Sequence, residues 1–311
     1  MNILVVGGAG FIGSHLVDLL IQNECDVTVV DNLATGNLKN LPEHPRLKFI
    51  YKDILECDLK DFPDSFDGVV HLVANASISA SWEKPLSAHN ANLSSTIKII
   101  EFCKKLRIPR LVYASSAAVY GESKETPINE RFEVNPLSPY GLQKLSGEKY
   151  GALFAKEFGF SFVALRFFNV FGERQSPDSD YSGVISIFSN AMKSNLPITI
   201  YGDGRQTRDF IYVRDVARAI YKSLVVTLKV GSTSIINVGS GNQTSLLKLI
   251  DLLKRQFPDW QQEKIFKDPR IGDVLHSQAD IAKASQELDF ISKWPIDIAF
   301  ETMLKTHDVG K

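Results

Sequence analysis

The sequence predicts an α/β protein: a doubly wound parallel sheet followed by a smaller carboxy-terminal α/β lobe. Three observations predict it. Six short runs in the first two-thirds are apolar throughout, as strands buried on both faces of a parallel sheet are. Helical stretches alternate with them. A cluster of glycines joins the first apolar run to the first helix.

In chain order the strand candidates are residues 3–6, 27–30, 47–51, 68–72, 110–115 and 161–168, each rich in Val, Ile, Leu, Phe or Tyr. Between them the pattern predicts helices over 12–22, 86–106 and 140–158. The last opens on Ser138-Pro139, a capping hydroxyl and a proline in the first turn. Beyond Phe168 the pattern changes. Residues 173–183 read as a polar loop. A helix over 184–194, a strand–helix stretch over 210–226, a strand over 235–238, a capped helix over 244–256 and a proline-containing tail follow. This places a first domain at 1–168, with segments near 210–239 returning to it, and a smaller lobe mainly at 169–311. No repeat or long linker separates the two, so they are expected to pack closely.

Composition narrows the function. Of 311 residues, 44% are apolar and 23% charged, as in a globule with a real core and unlike a disordered, collagen-like or disulfide-scaffold chain. Thirty-five basic side chains face 36 acidic ones, so no positive excess recommends a nucleic-acid or acidic-membrane partner. The three cysteines, Cys25, Cys57 and Cys103, are far apart and form no disulfide framework, which suits a reducing compartment. The opening run of Met1–Val6 reads as a strand and not as a secretory signal, and no run approaches the ~18 apolar residues of a membrane span. The expected location is the cytoplasm. The six histidines show no metal-ligand spacing, so no metal is expected, and no nucleophile-elbow motif supports hydrolase chemistry.

The glycines at 7, 10 and 13 in Gly7-Gly8-Ala9-Gly10-Phe11-Ile12-Gly13 lie between a strand and a helix. Missing Cβ atoms there let backbone N–H groups approach a pyrophosphate seated at the helix amino terminus. Asp31 ends the next strand, where a carboxylate accepts from both ribose hydroxyls and repels a 2′-phosphate. No arginine follows it in Asn32-Leu33-Ala34-Thr35, so NAD is favoured over NADP.

Tyr140 and Lys144 form Y-x-x-x-K at the start of the third helix, where i and i+4 share a face. Tyr120 and Lys124 match the spacing too, but lie in a loop-like stretch and are read as coincidence. A tyrosine of ordinary pKa, near ~10, is a poor base at neutral pH. A lysine cation and a positive nicotinamide beside it favour the phenolate, which can take a hydroxyl proton while hydride leaves the same carbon. The serines at 115 and 116 follow the fifth strand, at the sheet edge where ligands bind, and offer a hydroxyl to the reacting oxygen.

Taken together these motifs resemble the extended short-chain dehydrogenases/reductases, and among them the NAD-dependent nucleotide-sugar epimerases. The likeness spans nearly all of the chain. Besides the residues above, its markers are Asp53-Ile54, His71-Leu72-Val73-Ala74, Asn92, Arg166-Phe167-Phe168-Asn169, Gly202-Asp203-Gly204, Thr207-Arg208-Asp209 and Arg270-Ile271-Gly272-Asp273. The resemblance implies a Rossmann sheet and a set of roles. Gly7, Gly10, Phe11, Ile12 and Gly13 would line the pyrophosphate, Asp31 and Asn32 the adenosine ribose, and Asp53 and Ile54 the adenine. Leu72, Ala74, Asn92 and Phe168 would also serve the cofactor. Ser116 and Tyr140 would face the sugar, and Lys144 the nicotinamide ribose. Asn169, Arg208 and Arg270 would grip the nucleotide diphosphate, arginine being suited to it.

Two positions discriminate within the family. Dehydratases carry an Asp-Glu pair where this chain has Ala117-Ala118, so no carboxylate is placed to expel a C6 hydroxyl. Ser277, seven residues beyond Arg270, stands where members restricted to glucose and galactose usually carry tyrosine, and leaves room for an N-acetyl group. Val73-Ala74 departs from the commoner Ala-Ala, a packing change. The resemblance therefore implies C4 epimerisation of a UDP-sugar through a 4-keto intermediate, on UDP-N-acetylglucosamine/UDP-N-acetylgalactosamine and also UDP-glucose/UDP-galactose. A 4,6-dehydratase, a ketosugar reductase and a non-catalytic nucleotide-sensing protein are the alternatives. It also implies a homodimer, formed by pairing the helices over 86–106 and 140–158 across two chains.

Overall fold

The computed structural model describes residues 1–63, 65–123, 125–175, 183–269 and 274–307, the side chains of 304–307 excepted. The chain opens with β1 (Asn2–Val6), α1 (Phe11–Gln22), β2 (Asp26–Asp31), β3 (Leu47–Tyr51) and β4 (Gly68–His71). Helices α2 (Ile78–Glu83), α3 (Pro85–His89) and α4 (Ser95–Lys105) lead to β5 (Arg110–Ser116), α5 (Pro139–Phe158) and β6 (Ser161–Phe167). Shorter elements follow: β7 (Asn169–Phe171), α6 (Val184–Lys193), β8 (Ile198–Tyr201), β9 (Thr207–Arg208), β10 (Phe210–Tyr212) and α7 (Val213–Val225). The last are β11 (Thr233–Val238), β12 (Thr244–Ser245), α8 (Leu246–Lys254), β13 (Lys264–Lys267), α9 (Ala282–Leu288) and α10 (Ile296–His307).

Seven strands make one sheet in the order β11-β6-β5-β4-β1-β2-β3, every neighbouring pair parallel. From β1 the chain builds outward through β2 and β3, then returns to build the other way from β4. The order therefore reverses between β1 and β4, and the crevice beyond their carboxyl ends is where an open α/β sheet takes ligands. The burial of β1, β2, β4, β5 and β6 on both faces explains why their sequences do not alternate. One face is covered by Leu16, Val17 and Leu20 of α1 with Val216, Ala219 and Ile220 of α7. The other is covered by Ile99, Ile100 and Phe102 of α4, with Tyr113 and Phe162 beneath. A separate core of Phe171, Phe188, Tyr212, Leu249, Trp260 and Phe300 holds the later elements together.

The structure departs from the sequence reading in three places. The helix expected over 86–106 is broken into α3 and α4 by a widened turn at Asn90–Ser94, and α2 precedes it. The helix expected from Thr244 begins at Leu246, because the Ser245 side chain takes the cap and Thr244 is drawn into β12 against Arg208. The tail carries two helices, α9 and α10, tied down by Ala284, Leu288, Ala299 and Phe300 in the cores.

Candidate active site

A cleft of about 1500 Å³ opens along the carboxyl edge of the sheet. Single-ligand pockets run to roughly 300–1,000 Å³, so this one has room for two ligands end to end. One end is lined by Gly7, Gly10, Phe11, Ile12, Gly13, Asp31, Asn32, Asp53 and Ile54. The glycine turn is packed too tightly for side chains: a Cβ on Gly13 would stand 2.1 Å from the Gly7 carbonyl oxygen. The close turn leaves the amino terminus of α1 facing the cleft, with its partial positive charge available to an anion.

The Asp31 carboxylate is buried and held from behind: Oδ2 accepts from Ala9 N at 2.9 Å and Oδ1 from Leu33 N at 2.8 Å. Each oxygen keeps a lone pair for a ribose hydroxyl. Burial pushes its pKa up, against those two bonds. Asn32 Nδ2 donates to Asp53 Oδ2 at 2.8 Å, which joins the two residues expected to flank the adenosine. Arg46, the first arginine after Asp31, is engaged with Asp26. An anion-binding helix end beside a ribose-reading acid fits NAD.

The other end of the cleft is built by α5 against the end of β5. Ser138 caps α5 by accepting from Gly141 N, which sets Tyr140 in the first turn and Lys144 one turn later. Both line the cleft with Ser116. Lys144 Nζ donates to Ala114 O at 2.8 Å and lies 5.9 Å from the centre of the Tyr140 ring and 5.1 Å from that of Tyr113. The Ser116 hydroxyl accepts from Ala118 N at 3.1 Å and lies beside the Tyr140 phenol, where it favours ionisation. Tyr120, by contrast, is buried with its hydroxyl donated to Asn237 Oδ1, and does not line the cleft; Lys124 lies outside the described residues.

The protein's own groups do not by themselves favour the phenolate. The phenol of Tyr140 does not start below its ordinary value: burial raises it, and the Ser116 hydroxyl only partly opposes this. Burial also pulls Lys144 down to about 7, so the lysine is itself close to giving up its proton at neutral pH. His71, under Lys144, is pushed to about 3 by burial and then by the lysine charge, and stays neutral. Burial thus holds back the charged forms of both side chains, and a further positive charge in the cleft would favour the phenolate.

Leu72, Ala74 and Phe168 line the cleft, but Asn92 does not. It sits in the widened turn, fully buried, with Oδ1 accepting from Asn75 N at 2.7 Å and Nδ2 donating to Asn75 O at 3.1 Å and Gln143 Oε1 at 2.7 Å. Its amide clamps the cleft wall at Asn75 to α5.

Asn169, Arg208 and Ser277 lie past Phe168, outside the cleft lining, but the structure gathers them. Asn169 N donates to Asp209 O at 3.0 Å, and Ser277 N to Thr207 O at 3.2 Å. Arg208 Nη1 donates to Thr207 O at 2.9 Å. Arg270, with Ile271-Gly272-Asp273, lies outside the described residues. The organiser of this patch was not singled out in the sequence as more than a marker. Asp209 is buried, and its carboxylate accepts from Ser240 N, Ser240 Oγ, Gly241 N and Ala279 N, tying three segments together. The sequence reading also missed Asn75, Lys84, Ser87 and Arg174, which line the cleft. Lys84 carries a signal in hindsight, a cation one residue before the Pro85 that opens a helix. Arg174 pairs with Asp18 of α1 at 2.8 Å, a contact sequence spacing does not reveal.

Residues 3–239 match the model of the NAD dependent epimerase/dehydratase family. A putative UDP-glucose 4-epimerase of Methanocaldococcus jannaschii is 43% identical, over 91% of this chain and 90% of that one. Among solved structures, a UDP-N-acetylglucosamine 4-epimerase from Methanobrevibacter ruminantium, in complex with UDP-N-acetylmuramic acid, is 38% identical, with a TM-score of 0.89 over 98% of this chain and 96% of that one. A UDP-glucose 4-epimerase of Thermotoga maritima with UDP-glucose is 34% identical, with a TM-score of 0.92 over 99% of each chain.

Proposed function

The chain belongs to the NAD-dependent epimerase/dehydratase family, and from that premise we propose that it inverts C4 of a UDP-sugar with NAD as its cofactor. The observation that carries this reading is one cleft holding the glycine turn and Asp31 at one end and Ser116, Tyr140 and Lys144 at the other. NAD, when bound, supplies a reversible two-electron acceptor at the sugar carbon. Gly7, Gly10, Phe11, Ile12 and Gly13 hold its pyrophosphate, Asp31 and Asn32 its ribose, Asp53 and Ile54 its adenine, and Leu72, Ala74, Phe168 and Lys144 its nicotinamide half.

Tyr140 takes the proton of the 4-hydroxyl and later returns it. Ser116 holds the same oxygen throughout. Lys144, when protonated, places a positive charge beside the phenol and so favours the phenolate. The 4-keto sugar turns over between the two proton transfers while Asn169, Arg208 and Arg270 keep the diphosphate fixed. Ala117-Ala118 leaves no acid for expelling a C6 hydroxyl, which disfavours the dehydratase alternative. The intact Ser116, Tyr140 and Lys144 disfavour a non-catalytic sensor.

The finer points follow the same reading. The small Ser277 favours UDP-N-acetylglucosamine/UDP-N-acetylgalactosamine, with UDP-glucose/UDP-galactose also accepted. The first domain, 1–168 with the return near 210–239, takes the cofactor, and 169–311 mainly the nucleotide-sugar. Exposed Leu142, Tyr150 and Leu153 on α5 suit a homodimer built on that helix. No described helix is long and apolar enough to cross a membrane, and the cytoplasm is the proposed location. The test is incubation with a panel of UDP- and GDP-sugars without added cofactor, followed by separation of the products. Inversion at C4 of the UDP-sugars supports the reading; a 4-keto-6-deoxy product replaces it.

A further inference from the structure

The most buried ion pair among the described residues lies just beneath the catalytic face of α5. Arg166 of β6 meets Glu148 of α5 as a fork, with Nε 2.9 Å from Oε1 and Nη2 2.7 Å from Oε2. The side chains are 4% and 0% exposed. Ser115 Oγ donates to the same Oε1 at 2.5 Å. The guanidinium also stacks over the Tyr120 ring at 4.7 Å, and its Nη1 is buried without a partner.

The placement is what gives the pair a role. Tyr140, Lys144 and Glu148 follow one another at four-residue spacing, so they share one face of α5 at intervals of about one turn. Three consecutive residues of β5 meet that face: Ala114 O accepts from Lys144, Ser115 donates to Glu148, and Ser116 lies beside the Tyr140 phenol. The strand end and the helix are bonded at Lys144 and at Glu148, and of these two the Glu148 bond is anchored to a third element, by Arg166.

We propose that Glu148, locked by Arg166, is a positioning residue that fixes the register and depth of α5 so that Tyr140 and Lys144 meet the end of β5. This rests on the reading of Tyr140 and Lys144 as the catalytic pair. A buried ion pair is weak evidence for stability, since apolar residues of similar volume often hold a fold as well. Its directional bonds have a defined geometry, and the role assigned to them is to select one register.

That difference supplies the test. Glu148→Leu and Arg166→Met each leave one buried partner unpaired and are expected to lower both the melting temperature and kcat. The double variant leaves no charge unpaired. It is expected to recover the melting temperature while kcat stays low on the order of 10²-fold, with KM and bound NAD near the wild-type values. Should the single variants fail to fold, the double variant carries the comparison. A double variant with wild-type kcat overturns the proposal. A second readout is independent of turnover: ultraviolet titration of the Tyr140 phenol, taken as the difference from Tyr140→Phe in the same background. A displaced midpoint in the double variant supports the positioning role, and superimposable titrations overturn it. A wild-type chain that turns over no UDP-sugar would refute the reaction and leave this second readout standing.

Discussion

Lys144 lies 5.9 Å from the ring centre of Tyr140 on the same face of α5, and its ammonium donates to a carbonyl, Ala114 O, with no carboxylate paired to it among the described residues. An uncompensated cation in a buried site is costly to the fold, and burial pulls it to about 7. On the proposed mechanism, the cation is kept there for the phenol beside it.

Removing that phenol should remove the chemistry and little else. Tyr140→Phe keeps the ring and its packing. It is expected to lower turnover by roughly 10²–10⁴-fold, the usual contribution of a positioned acid–base group. NAD released from the purified variant by denaturation should match the wild type. Unchanged turnover would remove Tyr140 from the mechanism.

The lysine makes a prediction about stability and pH. Its folded pKa lies below the ordinary lysine value, so the unfolded chain binds the extra proton between about 7 and the unfolded value, 10.5. Stability linked to Lys144 therefore rises with pH across that window and is at its least at pH 7 and below. Lys144→Met has no such penalty. Its melting temperature should exceed that of the wild type most at pH 7, and the gap should close toward pH 10. A gap independent of pH would contradict the assignment.

Close approach of α5 to the sheet should depend on Gly147. A Cβ there would stand 2.4 Å from the Tyr113 hydroxyl oxygen and 2.7 Å from Cζ. Tyr113 is fully buried against His71 and Phe162 and cannot swing aside freely. Gly147→Ala is expected to cost about 1–3 kcal/mol by denaturant titration, as overpacking does, and to lower kcat by moving Tyr140 and Lys144. Wild-type stability would show that the helix is not seated by this contact.

Ser277 tests substrate size. Its backbone is fixed on Thr207, so a larger side chain has little freedom to retreat. Ser277→Tyr is expected to lower kcat/KM for UDP-N-acetylglucosamine relative to UDP-glucose by roughly 10–200-fold, the range set by pocket size. An unchanged preference would remove the gating role.

Much of this was legible in the sequence, for identifiable reasons. The glycine turn, Asp31 and the Tyr140–Lys144 pair act through local geometry: a strand, a turn, a helix face. Local geometry leaves a mark in spacing. Asp209 acts through four donors drawn from residues 240, 241 and 279, and Arg174 through Asp18 on α1, contacts that only the folded chain brings together. Asn92 was marked by its place among the motifs, but its bonds to Asn75 and Gln143 from the widened turn at Asn90–Ser94 could not be read from spacing. The rise of the Tyr140 phenol was also out of reach, because burial outweighs a neighbouring hydroxyl only once depth is known.

The most direct measurement uses a UDP-sugar labelled with deuterium at C4, incubated with the purified chain and no added NAD. The account predicts a C4-inverted product that still carries its deuterium at C4. An inverted product whose C4 hydrogen has come from solvent, or a 4-keto-6-deoxy product with the deuterium moved from C4 to C6, would contradict it.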